Sequence, residues 1–255
     1  MQTAAALVTG AGGAIGAAIC RRLAARGYAV AALDADLDAA ERVAAELSTP
    51  AIAVQCDVTR LAEVEATVEH VQAQLGEVEL LVNNAGVLGP PATALVELDP
   101  SDWERVFAVN VTGAWNLMRT VVPGMAARGR GCVVNIASGA AYNGVPGIGA
   151  YGASKAALLH LTKTLALEQA KSGVRCVAVC PGNVDTPMLS QIARTLAAAG
   201  DTDPTATLTA YHALPRLATP QDVAGVVAFL ASADADFLTG SAVLVDGGAL
   251  AGSAR

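Results

Sequence analysis

Tyr151 and Lys155 stand four residues apart in the run Tyr151-Gly152-Ala153-Ser154-Lys155. On a helix that spacing places a phenol and an ammonium on one face. A neighbouring ammonium favours the phenolate and so lowers the phenol's pKa. A phenol brought toward neutrality can act as general acid or base. Ser138 lies thirteen residues before Tyr151, and its hydroxyl can hydrogen-bond the same substrate oxygen. A proton carrier beside a hydroxyl anchor, with no metal, is what hydride exchange between an alcohol carbon and a nicotinamide requires. A bare Tyr-x-x-x-Lys is common by chance, and most such pairs are a packed Tyr and a solvated Lys. The weight of this one rests on what surrounds it.

Near the N-terminus runs Thr9-Gly10-Ala11-Gly12-Gly13-Ala14-Ile15-Gly16, after an apolar stretch and before a helical one. Glycines at Gly10, Gly12, Gly13 and Gly16 let a backbone turn tightly and approach a pyrophosphate, which then sits on the helix N-terminus. The spacing is wider than G-x-G-x-x-G. Asp34 follows Gly16 by 18 residues and ends the second apolar run, where an acidic side chain holds adenosine ribose hydroxyls. A carboxylate there repels a 2′-phosphate, and no Arg or Lys stands in the glycine loop or beside Asp34. NAD is therefore expected in preference to NADP. The competing reading makes Asp34 the N-cap of the next helix.

Short apolar runs alternate with Ala-rich amphipathic ones. Strands are predicted at Ala4–Val8, Tyr28–Leu33, Ala51–Gln55, Val78–Val82, Cys132–Ile136, Val174–Val179 and Val243–Val245. Helices are predicted at Ile15–Arg26, Leu37–Leu47, Leu61–Leu75, Tyr151–Lys171 and Gln221–Leu230, and over Ser101–Ala127 with a break near Thr112-Gly113. The strand runs are continuously apolar, the mark of a parallel sheet covered on both faces. The expected fold is α/β: a Rossmann-like doubly wound sheet of about seven parallel strands with helices on both faces, in one domain spanning residues 1–255. Ligands bind such a sheet beyond the carboxyl ends of its strands. Asp34, Asp57, Asn83-Asn84-Ala85-Gly86 and Ser138 all follow strand ends.

The net charge is −7 and aromatics make up 4% of the chain, which excludes nucleic acid or an anionic membrane as the main partner. The five cysteines are odd in number and contain no CxxC, so neither a disulfide framework nor a zinc site is expected. They read as packing residues in a reducing cytoplasm. Met1–Cys20 and Gly131–Ser154 are uncharged, but glycines, Asn135, Asn143 and Pro146 interrupt them, and neither reads as a signal peptide or membrane span. His70, His160 and His212 have no metal-ligand spacing and are expected to be solvated or to cap helices.

Taken together, TGAGGAIG (Thr9–Gly16), CDV (Cys56–Val58), NNAG (Asn83–Gly86), Asn110 in FAVNVTG, Ser138 in NIAS, YGASK (Tyr151–Lys155) and PGNVDTPM (Pro181–Met188) resemble the short-chain dehydrogenase/reductase family, in its compact single-domain branch. The resemblance covers essentially the whole length. It implies a tetrad of Asn110, Ser138, Tyr151 and Lys155, with Asn110 kinking its helix and helping to hold a water that leads from Lys155 to solvent. It implies dinucleotide contacts at Gly10, Gly12, Gly13, Ile15, Gly16, Asp34, Asp57, Val58, Asn84, Ala85, Gly86, Tyr151, Lys155, Pro181, Gly182, Val184 and Thr186. Asp57 and Val58 would touch adenine, Lys155 the nicotinamide ribose, and Val184 and Thr186 the carboxamide. Ala14 departs from the motif, where Gly is common. It also implies a homotetramer, consistent with the apolar surplus of the helices around Ser101–Ala127 and Tyr151–Lys171.

Substrate contacts are expected at Ser138, Tyr142, Tyr151 and Met188, with Asn143 nearby. The resemblance implies that the stretch between Pro187 and Pro220 is a lid over the substrate; the alternative is that its apolar residues Leu189, Ile192 and Leu196 only pack against the core. No obvious cation faces a substrate carboxylate, although Arg194 and Arg216 are candidates, so a small neutral or apolar secondary alcohol or ketone is expected. A 3-oxoacyl reductase acting on carrier-protein or CoA substrates is a second reading, with Arg128 and Arg130 as its docking site. A non-catalytic dinucleotide sensor or scaffold is the third, disfavoured by the intact Ser138, Tyr151 and Lys155.

Overall fold

The computed structural model describes residues 4–252; the two ends of the expected domain, residues 1–3 and 253–255, lie outside the described part. Seven strands form one parallel sheet: β1 (Ala5–Thr9), β2 (Ala29–Asp34), β3 (Ala51–Gln55), β4 (Val78–Asn83), β5 (Gly131–Ile136), β6 (Val174–Pro181) and β7 (Ala242–Val245). Their order is β3-β2-β1-β4-β5-β6-β7. The chain starts mid-sheet, winds out to β3, then returns to β4 and winds the other way. The connections diverge between β1 and β4, and this opens a crevice at the strands' carboxyl ends.

Alternate strand residues feed opposite layers. Ala6, Val8, Val30 and Val82 pack with Ile19 and Leu23 of α1 (Ala14–Ala24) and with Val223 and Val227 of α9 (Pro220–Leu230). Leu7, Leu33, Leu81 and Val133 pack on the other side, with Val64 and Val68 of α3 (Leu61–Leu75) and Leu117 and Val121 of α5 (Ala114–Ala127). Both sides of each strand are therefore apolar, which is why the runs show no alternation. The five cysteines are free and buried. Among the described residues no helix is long and apolar enough to cross a membrane.

Local details refine the sequence reading, and one of its alternatives falls away. β1 and β2 sit one residue later than expected, because pairing continues to Thr9 and Asp34. α2 (Leu37–Ala45) is capped by Asp36, whose side chain accepts the Ala39 N–H at 3.1 Å, so Asp34 is not the cap. The long helix is not broken at Thr112-Gly113 alone. It runs as α4 (Pro100–Phe107), a π-helical turn over Ala108–Gly113 that contains Asn110, and α5. The remaining helices are α6 (Gly149–Gln169), α7 (Pro187–Ala198) and α8 (Pro204–Thr209), the last two forming the excursion between β6 and α9.

Candidate active site

The glycine loop joins β1 to α1. Gly10 has φ +62°, and a Cβ there would stand 2.9 Å from the Ala85 Cα. A Cβ on Gly16 would run into the Gly10 carbonyl oxygen, and one on Gly12 into the Ala39 Cβ. Gly13 is the N-cap of α1 and supplies no side chain; the first turn, with Ala14 and Ile15, carries no acidic residue. An uncapped helix start with a bare backbone before it suits an anion. Asp34 reaches this loop: its Oδ2 accepts the Gly12 N–H at 2.9 Å and its Oδ1 accepts the Asp36 N–H at 3.1 Å.

The ends of β1 and β4 are tied by Thr9 and Asn84. The Thr9 Oγ1 accepts the N–H groups of Asn84 and Ala85, each at 3.0 Å. The Asn84 side-chain amide donates to the carbonyls of Thr9 (2.9 Å) and Gly10 (3.0 Å). Asn84 thus shapes the loop with its amide. Asp57 accepts from the N–H (2.9 Å) and hydroxyl (2.7 Å) of Thr59. Val58 is buried; its carbonyl accepts from the Asn116 side chain at 2.9 Å, and Gly113 leaves room for its methyls.

Tyr151 and Lys155 lie in the first turns of α6, and Ser138 follows β5 directly. The Lys155 Nζ is 5.6 Å from the Tyr151 ring centre and donates to the Ile136 carbonyl at 2.8 Å. Ser138 caps a short 3-10 turn, its Oγ accepting the Ala140 N–H at 3.1 Å. Its hydroxyl also lies near enough to the Tyr151 oxygen to pull the phenol's pKa down. Burial outweighs that pull and pushes the phenol above its ordinary 10.0. Burial also pushes the Lys155 amine down to about 8. The expectation that the Lys155 ammonium lowers the phenol is therefore not met; the net shift is upward. Desolvation of two adjacent groups penalises both the phenolate and the ammonium.

Asn110 is 1% exposed. Its Oδ1 accepts the Val87 N–H at 2.8 Å, and its Nδ2 donates to the Val87 carbonyl (3.0 Å) and the Ser154 Oγ (2.9 Å). Ser154, which the motifs did not single out, in turn donates to the Tyr151 carbonyl at 2.7 Å. A Cβ on Gly86 would lie 3.2 Å from the Lys155 Nζ and 3.3 Å from the Asn110 Oδ1, so this glycine leaves the space between them.

Pro181 ends β6, and the Gly182 N–H donates to the Val245 carbonyl at 3.1 Å. Val184 is buried and bridges Ala218. Thr186 caps α7, its Oγ1 accepting the Leu189 N–H, and half-buried Met188 follows in the first turn. Tyr142 is half exposed and neighbours the Cys180 thiol. Arg194 and Pro91 face each other across an open cleft of about 470 Å³. Arg216 is paired with Asp222 at 2.7 Å. His212 is neither solvated nor a helix cap; it is 8% exposed, with both ring nitrogens engaged.

Sequence comparison matches residues 10–249 to the family described as "Enoyl-(Acyl carrier protein) reductase". The chain is 38% identical to 2-(S)-hydroxypropyl-CoM dehydrogenase 3 of Xanthobacter autotrophicus over 246 residues, 94% of each chain. The chain is a short-chain dehydrogenase/reductase. Cyclohexanol dehydrogenase of an Acinetobacter species is 37% identical, over 95% of this chain and 93% of that one. An NAD+-bound xylitol dehydrogenase superposes with a TM-score of 0.90 at 35% identity, covering 95% of this chain and 97% of that one. This short-chain dehydrogenase/reductase is thus an oxidoreductase interconverting an alcohol and a carbonyl, on a dinucleotide-binding fold.

Proposed function

We propose that the protein is an NAD-dependent dehydrogenase of a small, neutral or apolar secondary alcohol, with Tyr151 as general base. The observation that carries this reading is the convergence of Ser138, Tyr151 and Lys155 beside the end of β5, in a chain whose glycine loop is held by Asp34. The dinucleotide fits what is present. Gly10, Gly12, Gly13 and Gly16 keep the pyrophosphate position free of side chains, and Ile15 opens α1 beneath it. Asp34 takes the adenosine ribose hydroxyls and repels a 2′-phosphate. Asp57 and Val58 border the adenine, and Asn84, Ala85 and Gly86 the channel toward the reacting end. Pro181, Gly182, Val184 and Thr186 form the nicotinamide-facing loop. Bound there, NAD+ supplies a hydride acceptor and a positive ring whose charge favours a nearby phenolate.

Ser138 donates to the alcohol oxygen and fixes it at hydrogen-bond range of Tyr151. Tyr151 takes the hydroxyl proton as the carbinol hydrogen leaves as hydride. Lys155 holds the nicotinamide ribose and, with its amine near half-charged at about pH 8, passes the proton onward. Asn110 acts through others, because its side chain is spent on Val87 and Ser154. Tyr142 and Met188 border the substrate. Exposed Leu167, Phe229, Phe237 and Leu244 suit burial between copies, in keeping with a homotetramer, which solution mass measurement tests.

The carrier-protein reading loses its docking site. Arg128 and Arg130 precede β5 and pair with Glu77 and Glu79 at the amino edge of the sheet, the edge opposite the reactive groups. The test is reduction of NAD+ and NADP+ across a panel of aliphatic and cyclic alcohols. The expected result is turnover with NAD+ and a neutral secondary alcohol. Preference for NADP+, or turnover only of substrates bearing an anionic group at the Arg194 side of the cleft, overturns the corresponding half of the proposal.

A further inference from the structure

His212 lies in the turn after α8, where the excursion folds back toward the sheet. The Asn183 backbone N–H donates to its Nε2 at 3.0 Å. Its Nδ1 is 2.8 Å from the Arg216 carbonyl oxygen. A backbone amide can only donate, so Nε2 carries the lone pair and Nδ1 the hydrogen. These contacts assign the ring one tautomer. Two glycines make room for it: a Cβ on Gly182 would stand 2.8 Å from Nε2, and one on Gly247 3.2 Å from the His212 Cβ. Asn183 is gripped from the same side through its other groups. Its side-chain amide donates to the Leu208 carbonyl at 2.8 Å, and its own carbonyl accepts the Ala218 N–H at 3.0 Å.

We propose that His212 is a positioning residue for the dinucleotide, a clasp that fastens the 187–219 excursion onto the Pro181–Thr186 loop and holds that loop in its binding shape. The proposal rests on the reading of that loop as the nicotinamide-facing one. The clasp depends on the Nε2 lone pair that accepts the Asn183 N–H. Asp246, on the turn after β7, has its carboxylate engaged by the N–H groups of Gly248 (3.0 Å) and Leu250 (2.9 Å). Arg216, on the histidine's own segment, is paired with Asp222. Asp185 on the loop is exposed, and α8 meets the histidine at the Thr209 carbonyl, which accepts the His212 N–H at 2.9 Å.

Two variants and two readouts test this. His212→Asn keeps a donor for the Arg216 carbonyl but has no acceptor at the Nε2 position. His212→Gln places an amide oxygen there. NADH affinity is measured by calorimetry, and amide hydrogen exchange is followed across residues 181–186 without dinucleotide. H212N is expected to weaken NADH binding roughly tenfold, the loss of one buried hydrogen bond, and to speed exchange in the loop. H212Q is expected to restore both. Unchanged affinity and exchange in folded H212N overturns the proposal alone, as does a folded H212Q that restores neither. Wild-type protein that binds no NADH overturns the dinucleotide reading and the proposal with it. Should H212N fail to fold, H212Q decides: near wild-type affinity and exchange support the clasp, and loss of both in folded H212Q overturns it.

Discussion

Replacing Asn110 by alanine separates a structural role from a chemical one. The side chain makes three hydrogen bonds, two to Val87 and one to Ser154, from a site that is 1% exposed. At about 1 kcal/mol each, their loss costs ~3 kcal/mol. For a chain of this size that lowers the thermal midpoint by about 6–12 °C. The same loss frees the Gly86-Val87 segment, which borders the Lys155 amine, so activity should fall together with stability. Circular dichroism melts and steady-state turnover on the same preparation check both. A midpoint within about 2 °C of wild type, with activity abolished, would refute the positioning argument and place the Asn110 amide in the reaction itself.

Lys155→Met is expected to abolish activity while stabilising the dinucleotide-free protein. The amine's fall from 10.5 to about 8 corresponds to ~3 kcal/mol of strain carried in full below pH 8, from which loss of the bond to Ile136 subtracts about 1. As pH rises from 8 to 10.5 the folded state sheds its proton before the unfolded one, so wild type should gain stability where K155M stays flat, and denaturant titrations at several pH values read this out. Asp34→Ala removes the acceptor for the Gly12 N–H and the carboxylate that repels a 2′-phosphate. NAD+ affinity should fall about tenfold or more, and NAD+/NADP+ discrimination should narrow; discrimination as sharp as wild type in kcat/KM would contradict the assignment.

The sheet was legible because covered parallel strands must be apolar on both sides, as Leu7 on one face and Val8 on the other illustrate. The glycine loop and the Tyr151–Lys155 pair were legible because their constraints are local in sequence. The electrostatics of that pair were not. Spacing reports the ammonium next to the phenol, and only the fold reports that both lose their water. The π-helical turn at Asn110 was partly visible as a break, but its extent is set by bonds to Val87 and Ser154, 23 and 44 residues distant. The same limit hid His212, whose partner Asn183 lies 29 residues away with no spacing to mark it. Helix α8 is short and leans on Asn183 as well, so its existence depends on tertiary contacts.

The central claim, that the Tyr151 oxygen carries the proton when hydride leaves the alcohol, is tested most directly by single-turnover oxidation of a secondary alcohol by NAD+-saturated Tyr151→Phe. The account predicts NAD+ binding close to wild type and a hydride-transfer rate lowered at least about a hundredfold, the worth of a positioned general base. Hydride transfer at near wild-type rate in that variant would contradict it.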